Sequence, residues 1–239
     1  MLPNKHKFEC KLISKRKEVE GVITLDFDPG KNNKQSFIPG QYVLVYLNGQ
    51  SGPEGKAYTI SNIPGDKFLA ITVKKIGKFS TALHELKIGS IVTMEGPMGY
   101  FYPDEKGGEL IFLAAGIGIT PFVSVIRTCV RDNLFEDRKI SLFYSNKTKE
   151  DTAFFDELNG ISEDNKNIRL FYYLTRQKIK DRHIKEFKRI DITGIKNKLK
   201  SLENKDYFIC GPIKFVSDLR RAMLDSGVDE LNIHTEAFY

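Results

Sequence analysis

Residues 110–130 read LIFLAAGIGITPFVSVIRTCV, and the order of residue types in this stretch decides the fold. Leu110 to Ala115 is an apolar run too short for a buried helix and suited to a strand covered on both faces. Gly116 and Gly118 follow at once, then Ile119, Thr120 and Pro121. Thr120 is a candidate helix cap, and Pro121 suits the first helical position, where its missing N–H would be unpaired anyway. Phe122, Val125, Ile126 and Cys129 then recur at helical spacing. The stretch therefore predicts strand, glycine turn, helix. Such a turn gathers unpaired backbone N–H groups and the positive end of a helix dipole, which suits a pyrophosphate. A tight strand-to-helix turn with no ligand would carry the same residues. Pro121 stands where the three-glycine dinucleotide fingerprint has its last glycine, so that fingerprint is not met.

Outward from this stretch, the pattern alternates between strand and helix. Ile140 to Tyr144 and Ile168 to Leu174 read as strands, with a helix over Thr152 to Leu158 between them. Helical pieces around Ile184 to Phe187 and Ile195 to Leu202 follow. Tyr207 to Cys210 is a further strand, closed by Gly211-Pro212. A helix over Ile213 to Ser226 carries Phe215, Leu219, Ala222 and Met223 on one face, and Ile233 marks a last strand. Alternation of this kind predicts a parallel sheet with helices on both faces. Ligands in such sheets sit at the carboxyl ends of the strands. Gly116, Ser145, Thr175 and Gly211 all follow predicted strands there and are expected to border one cleft.

Residues 7–103 read differently. Strands are expected at Phe8 to Ser14, Val22 to Phe27, Gln41 to Leu47, Lys56 to Ile60, Leu69 to Lys75 and Ser90 to Glu95. Turns are expected at Asp28-Pro29-Gly30, through Lys31 to Lys34, at Pro39-Gly40, and in a glycine loop from Asn48 to Gly55. A short helix starting at Ser80 or Thr81 interrupts them, with Leu83 and Leu86 on its apolar side. Short strands with short loops predict a small antiparallel barrel. The expected organisation is therefore two domains, an antiparallel β-barrel over 1–103 and an α/β parallel-sheet domain over 108–239, joined by the loop Pro103 to Gly108. Two places in the barrel invite a ligand. Along Lys56-Ala57-Tyr58-Thr59-Ile60-Ser61, Lys56, Tyr58 and Ile60 share one face, and Ala57, Thr59 and Ser61 the other. A flat aromatic ligand would lie against Tyr58, with a cation near its phosphate; an exposed barrel face would read the same way. Gly77-Lys78-Phe79-Ser80-Thr81 is a glycine turn at a helix N-terminus, a second phosphate seat of low specificity.

Composition narrows the rest. The chain has 239 residues, a hydrophobic fraction of 41% and a charged fraction of 28%, ordinary values for a globular protein. No run reaches the roughly 18 apolar residues of a membrane span. The N-terminal residues lack an apolar core of signal-peptide length, so a cytoplasmic location is expected. Cys10, Cys129 and Cys210 are too widely spaced for a metal cluster or a disulfide framework. The net charge of +6 fits an anionic ligand or an acidic protein partner, and equally a solvated lysine surface. There is no zinc or RNA-binding pattern and no periodic basic helix, which argues against nucleic acid.

A barrel followed by a nucleotide-type sheet, with these short motifs in fixed order, resembles the ferredoxin–NADP reductase superfamily from Gly40 to Tyr239. Lys56-Ala57-Tyr58-Thr59 resembles the family's Arg-x-Tyr-Ser/Thr strand. The resemblance implies that Lys56 holds the FAD pyrophosphate, Tyr58 packs on the isoalloxazine and Thr59 approaches flavin N5. Lys56 departs from the family's arginine, keeping the charge but losing the planar two-pronged grip. Gly77-Lys78-Phe79-Ser80 resembles the second flavin segment, whose backbone and serine bind pyrophosphate, and Val73 and Lys74 match positions near the ribityl chain. Gly116-Ile117-Gly118-Ile119-Thr120-Pro121 is similar to the family's Gly-x-Gly-x-x-Pro nicotinamide-cofactor loop, which accounts for the proline. Cys210-Gly211-Pro212 resembles the turn beside the nicotinamide. Glu236-Ala237-Phe238-Tyr239 resembles the acidic and aromatic C-terminus close to the flavin.

The resemblance implies a flavoprotein reductase in which NAD(P)H passes hydride to flavin N5. Tyr58, Thr59, Cys210, Glu236 and Tyr239 are the expected catalytic group. Glu236 is expected to orient or relay a proton, and Tyr239 to stack over the flavin and move when nicotinamide enters. Cys210 is not read as a nucleophile, since nothing basic stands near it in sequence. Ser145, Asn146, Lys147, Thr175 and Arg176 form a candidate set for a 2′-phosphate, leaning toward NADPH over NADH; Lys147 and Arg176 read equally as solvated loop charges. No iron–sulfur or haem motif is present, so electrons are expected to leave to a separate acceptor. An acidic ferredoxin or flavodoxin is one candidate and a quinone, ferric complex or free flavin another. A non-catalytic flavin-binding subunit of a larger assembly is the third reading.

Overall fold

The computed structural model describes residues 7–30, 36–47, 54–104, 107–133 and 138–238. The turn expected at Lys31 to Lys34, the loop expected from Asn48 as far as Pro53, and Tyr239 lie outside them.

The first half builds one antiparallel sheet from β1 (Lys7–Val19), β2 (Val22–Asp28), β3 (Tyr42–Tyr46), β4 (Lys56–Thr59), β5 (Leu69–Lys74) and β6 (Ile91–Met98), in the order β4-β3-β6-β1-β2-β5. Strict alternation explains β1: Phe8, Cys10 and Leu12 face inward while Lys7, Glu9, Lys11 and Ile13 face solvent. An antiparallel bridge from Ile60 to Ile71 brings the two ends of the sheet together, so it curls into the expected barrel. β6 runs on through Gly96 and Pro97 to Met98, because Met98 still pairs with Tyr42 of β3. The barrel's helix, α1 (Lys78–Glu85), begins before Ser80 rather than at it. Ser80 sits one turn inside, where its Oγ accepts from the N–H groups of Ile76 at 2.9 Å and Gly77 at 3.0 Å.

The second half contains β7 (Glu109–Ala115), α2 (Thr120–Asp132), β8 (Ile140–Asn146), α3 (Phe155–Asp164), β9 (Ile168–Leu174), β10 (Ile184–Glu186), α4 (Ile192–Leu199), β11 (Lys205–Pro212), α5 (Ile213–Leu224) and β12 (Ile233–Phe238). Its six-stranded sheet has the order β10-β9-β8-β7-β11-β12, with every pairing parallel. β7 is covered on both faces. Phe112 and Ala114 pack into the core that holds Phe122 and Ile126 of α2, and Ile111 and Leu113 into the core that holds Ile195 of α4 and Leu219 of α5. Phe101, from the segment between the two sheets, enters the first of these cores, with its ring 5.8 Å from Phe122 and 5.4 Å from Phe208.

Four further expectations change. The piece at Ile184 to Phe187 is a strand, because the open edge of β9 offers it backbone partners that three residues of helix could not supply. The helix expected from Thr152 starts at Phe155, after left-handed Phe154 (φ 61°), while Thr152 Oγ1 donates to Thr148 O in the turn before it. The helix expected from Ile195 starts at Ile192, because Asp191 caps it by accepting from Gly194 N–H at 2.6 Å. Thr120 lies inside α2, where its hydroxyl donates to Ile117 O at 3.2 Å rather than capping the helix.

Gly118 is fixed by backbone contact: a Cβ there would collide with the carbonyl oxygen of Cys210. Gly118→Ala is therefore expected to lower unfolding free energy by about 1–3 kcal/mol, the usual cost of overpacking. A urea midpoint equal to that of the parent would overturn this account.

Candidate active site

The two halves meet at a cavity of about 580 Å³. From the barrel it is lined by Lys56, Tyr58 and Thr59 of β4, Lys74 at the end of β5, and Gly77, Lys78, Phe79 and Ser80 at the start of α1. From the second half come Ile117, Thr120 and Phe238. These include ten of the residues singled out from sequence. Glu54, Ala57, Thr72, Ile76 and Ile117 also line it without having been foreseen. Among these, Ala57, Ile76 and Ile117 stood inside or directly beside the quoted motifs, a positional signal only. Ala57 and Thr59 share the cavity with Lys56 and Tyr58, so strand alternation does not divide this segment. β4 is a four-residue edge strand, and the cavity reaches round it.

The rings of Tyr58 and Phe79 lie 6.2 Å apart at 21°, an aromatic surface for a flat ligand. Burial pushes the Tyr58 phenol up to about 12, so it is neutral at physiological pH. Lys56, Lys74 and Lys78 give the cavity its charge. Lys56 is held loosely by Glu54, at 3.8 Å. The Ser80 hydroxyl also donates to Gly77 O at 3.0 Å. It thus serves its own turn, which leaves the first-turn amides of α1, without an intrahelical acceptor, as the groups open to an anion. An aromatic wall, three lysines and a helix N-terminus fit a flavin dinucleotide.

Other expected site residues lie elsewhere. Ser61 is fully buried, its Oγ accepting from Thr72 Oγ1 at 3.0 Å and donating to Ala70 O. Val73, Ile119 and Pro121 are buried in packing, and Thr81 donates its N–H to Gly77 O. Gly116, at φ 55°, adopts the left-handed turn that ends β7 and lies beside Lys74 Nζ. Gly118 packs on Cys210, and Gly211 on Ala115 and Phe215; Pro212 pairs with Phe238 at the end of β12.

Cys210 and Glu236 are register partners on β11 and β12. The Cys210 thiol is fully buried, and burial with the nearby Glu236 carboxylate raises it well above its ordinary value, so it is not a thiolate. Burial likewise raises Glu236, from 4.5 to about 7.

Ser145 and Thr175 do come together, in a second cavity of about 450 Å³ at the carboxyl ends of β8 and β9. Gly116 and Gly211 do not line it, because their loops close on each other through Gly118. Asn146, Lys147 and Arg176 do not line it either; Asn146 O instead accepts from Thr175 N–H and Lys147 O from Arg176 N–H. The remaining lining comes from the segment before α4 and from the first turns of α5, including Arg189, Asp191, Lys214 and Phe215. An apolar wall with a few polar groups fits the adenosine portion of a nicotinamide dinucleotide. Among the described residues no helix is long and apolar enough to cross a membrane, and no group of three or more acidic, histidine or cysteine side chains is placed to hold a metal.

Comparison with known proteins agrees with this fold. The oxidoreductase FAD-binding domain model matches residues 9–102, and the oxidoreductase NAD-binding domain model matches residues 112–221. The flavohemoprotein of Bordetella pertussis is 28% identical over 243 residues, which are 95% of this chain and 60% of that protein. That of Bacillus anthracis is 26% identical over 242 residues, again 95% and 60%. The chain thus spans about three-fifths of the length of these curated relatives. Among solved structures, the flavohem-like FAD/NAD-binding domain of nitric oxide dioxygenase from Vibrio cholerae superposes with a TM-score of 0.83 at 22% identity, over 97% of this chain and 98% of that one. A ferredoxin NADP⁺ reductase from Neisseria gonorrhoeae, with bound FAD and NADP, gives 0.83 at 21% identity, over 98% and 99%. Fold and family models together define an oxidoreductase FAD-binding domain followed by an oxidoreductase NAD-binding domain. The chain belongs to the oxidoreductase family that these FAD-binding and NAD-binding domain models describe.

The Glu236 shift makes a pH prediction. The unfolded carboxyl titrates near 4.5 and the folded one near 7. Between those values the folded state binds more protons, so stability falls as pH rises through this window and levels off above it. Glu236→Gln is expected to remove that decline. Urea midpoints measured from pH 4.5 to 8 that run parallel for parent and variant would reject it.

Proposed function

We propose that this chain is an NAD(P)H-dependent flavoprotein reductase of the ferredoxin–NADP reductase type, passing electrons from NAD(P)H through FAD to a separate one-electron carrier with an acidic surface, such as a ferredoxin or flavodoxin. In this reading 1–103 is the flavin domain and 108–239 the nicotinamide domain. The observation that carries it is the shared cavity, where Tyr58 and Thr59 of one half face Ile117, Thr120 and Phe238 of the other. FAD held there would supply the exchange between a two-electron donor and one-electron carriers, so that one NAD(P)H would reduce two carriers.

The chain's own residues supply the setting. Tyr58 and Phe79 give the ring a surface, and Thr59 offers a hydroxyl for the flavin N5 edge. Lys56, Lys74 and the α1 amides neutralise pyrophosphate. Glu236, with a pKa near 7, both takes up and gives up a proton at neutral pH, as a relay requires. Cys210 acts as a buried wall beside it. Tyr239 is proposed as the movable lid over the ring. The acidic carrier is supported by the lysines around the cavity and by exposed Ile76 at its edge. Likeness to flavohemoproteins supports a second reading, in which a haem protein takes the electrons.

The purified protein is expected to be yellow, or to become so with FAD, and to bleach on anaerobic titration with NADPH or NADH. Tyr58→Ala is expected to weaken FAD binding by about tenfold, the scale of one lost aromatic contact, as read by flavin fluorescence quenching. A protein that stays colourless in excess FAD ends the proposal. Turnover with an acidic carrier should fall steeply with salt; salt-independent turnover would favour a small acceptor such as a quinone or ferric complex.

A further inference from the structure

The second cavity has one charged lining side chain left without a partner among the described residues. Four charged side chains line it: Arg189, Asp191, Lys214 and Asp218. Asp191 is committed to α4, accepting from Gly194 N–H at 2.6 Å and from Lys188 Nζ at 3.1 Å. Lys214 and Asp218 pair with each other at 3.0 Å. Arg189 has no hydrogen bond or ion pair among the described residues. Its guanidinium presents a planar fork of donors matched to a phosphate. Across the same cavity stand the Ser145 hydroxyl and an apolar wall that includes Ile190 and Phe215.

This arrangement bears on which nicotinamide cofactor is used. A free ribose diol is best held by an uncommitted carboxylate, and both carboxylates here already hold cations. A 2′-phosphate needs a free cation, and one is present. Lys147 and Arg176, the cations that sequence position favours, do not line the cavity.

We infer that Arg189 is the residue that selects NADPH: the cavity takes the adenosine half of the cofactor, and the Arg189 guanidinium takes its 2′-phosphate. The inference rests on the nicotinamide-cofactor reading of this half of the chain.

Adenosine 2′,5′-bisphosphate and 5′-AMP differ only in the 2′-phosphate, and calorimetric titration of the FAD-loaded protein with each isolates that group. The parent is expected to bind the bisphosphate about 10- to 100-fold more tightly than 5′-AMP, the range of one charged hydrogen-bonding contact. Arg189→Ala should abolish that preference without changing 5′-AMP affinity, and Arg189→Lys should restore part of it. Lys147→Ala and Arg176→Ala should alter it by less than about threefold, as expected for exposed charges outside the cavity. The same variants should move kcat/KM for NADPH but not for NADH. If Arg189→Ala keeps the preference, the role assigned to Arg189 is wrong. If the parent does not distinguish the two nucleotides, the selection of NADPH is wrong, while NADH-driven reduction of the flavin would leave the reductase reading intact. If neither nucleotide binds and neither NADH nor NADPH reduces the flavin, the reading of this half fails with it.

Discussion

The grip of α2 on the barrel fixes everything else in the cleft. Ser124 Oγ donates to Asn62 O at 2.7 Å, Arg127 to Ser61 O at 2.6 Å and Arg131 to Pro64 O at 2.6 Å. These carbonyls belong to the loop that leaves β4, and β4 carries Lys56, Tyr58 and Thr59. The same helix starts directly after the Gly116–Ile119 turn. One rigid element therefore sets the spacing between β4 and the Gly116–Ile119 turn. Without it, two domains joined by a loop would be expected to move relative to each other. Phe101 adds to the restraint by burying a barrel-side ring in the core of the second sheet.

The glycine turn answers to two demands. Gly116 supplies a left-handed φ that ends β7. Gly118 permits the turn to lie on the backbone of Cys210, across the point where the strand order reverses between β7 and β11. Close packing of these loops brings Cys210 and its register partner Glu236 next to the turn. Glycines that read as an invitation to phosphate are thus also a requirement of packing.

Charge is divided unevenly between the two cavities. The first has three lysines and one facing carboxylate, Glu54. The second pairs off all its charges except Arg189. The first therefore favours an anion through its net charge and the second through one unpartnered guanidinium, which suits the phosphates of two dinucleotides.

Much of this was legible in the chain itself. The alternation of β1, the doubly buried run of β7 and the glycine-to-proline turn follow from local residue order, because strand and helix periodicity are short-range properties. Lys56, Tyr58, Thr59, Gly77 and Phe79 could be picked out because a motif keeps its members within a few residues. The tertiary structure alone decided which of them share a cavity. Ser61 went inward to a hydroxyl chain with Thr72, Ser80 was used by its own turn, and Arg189 arrived at a cavity shared with Ser145 and Thr175 from a segment with no motif. Ile184 became a strand for the same reason: the partner that made it one lies across the sheet. Burial and backbone pairing depend on residues distant in sequence, and it is these that decide whether a polar side chain is left free for a ligand.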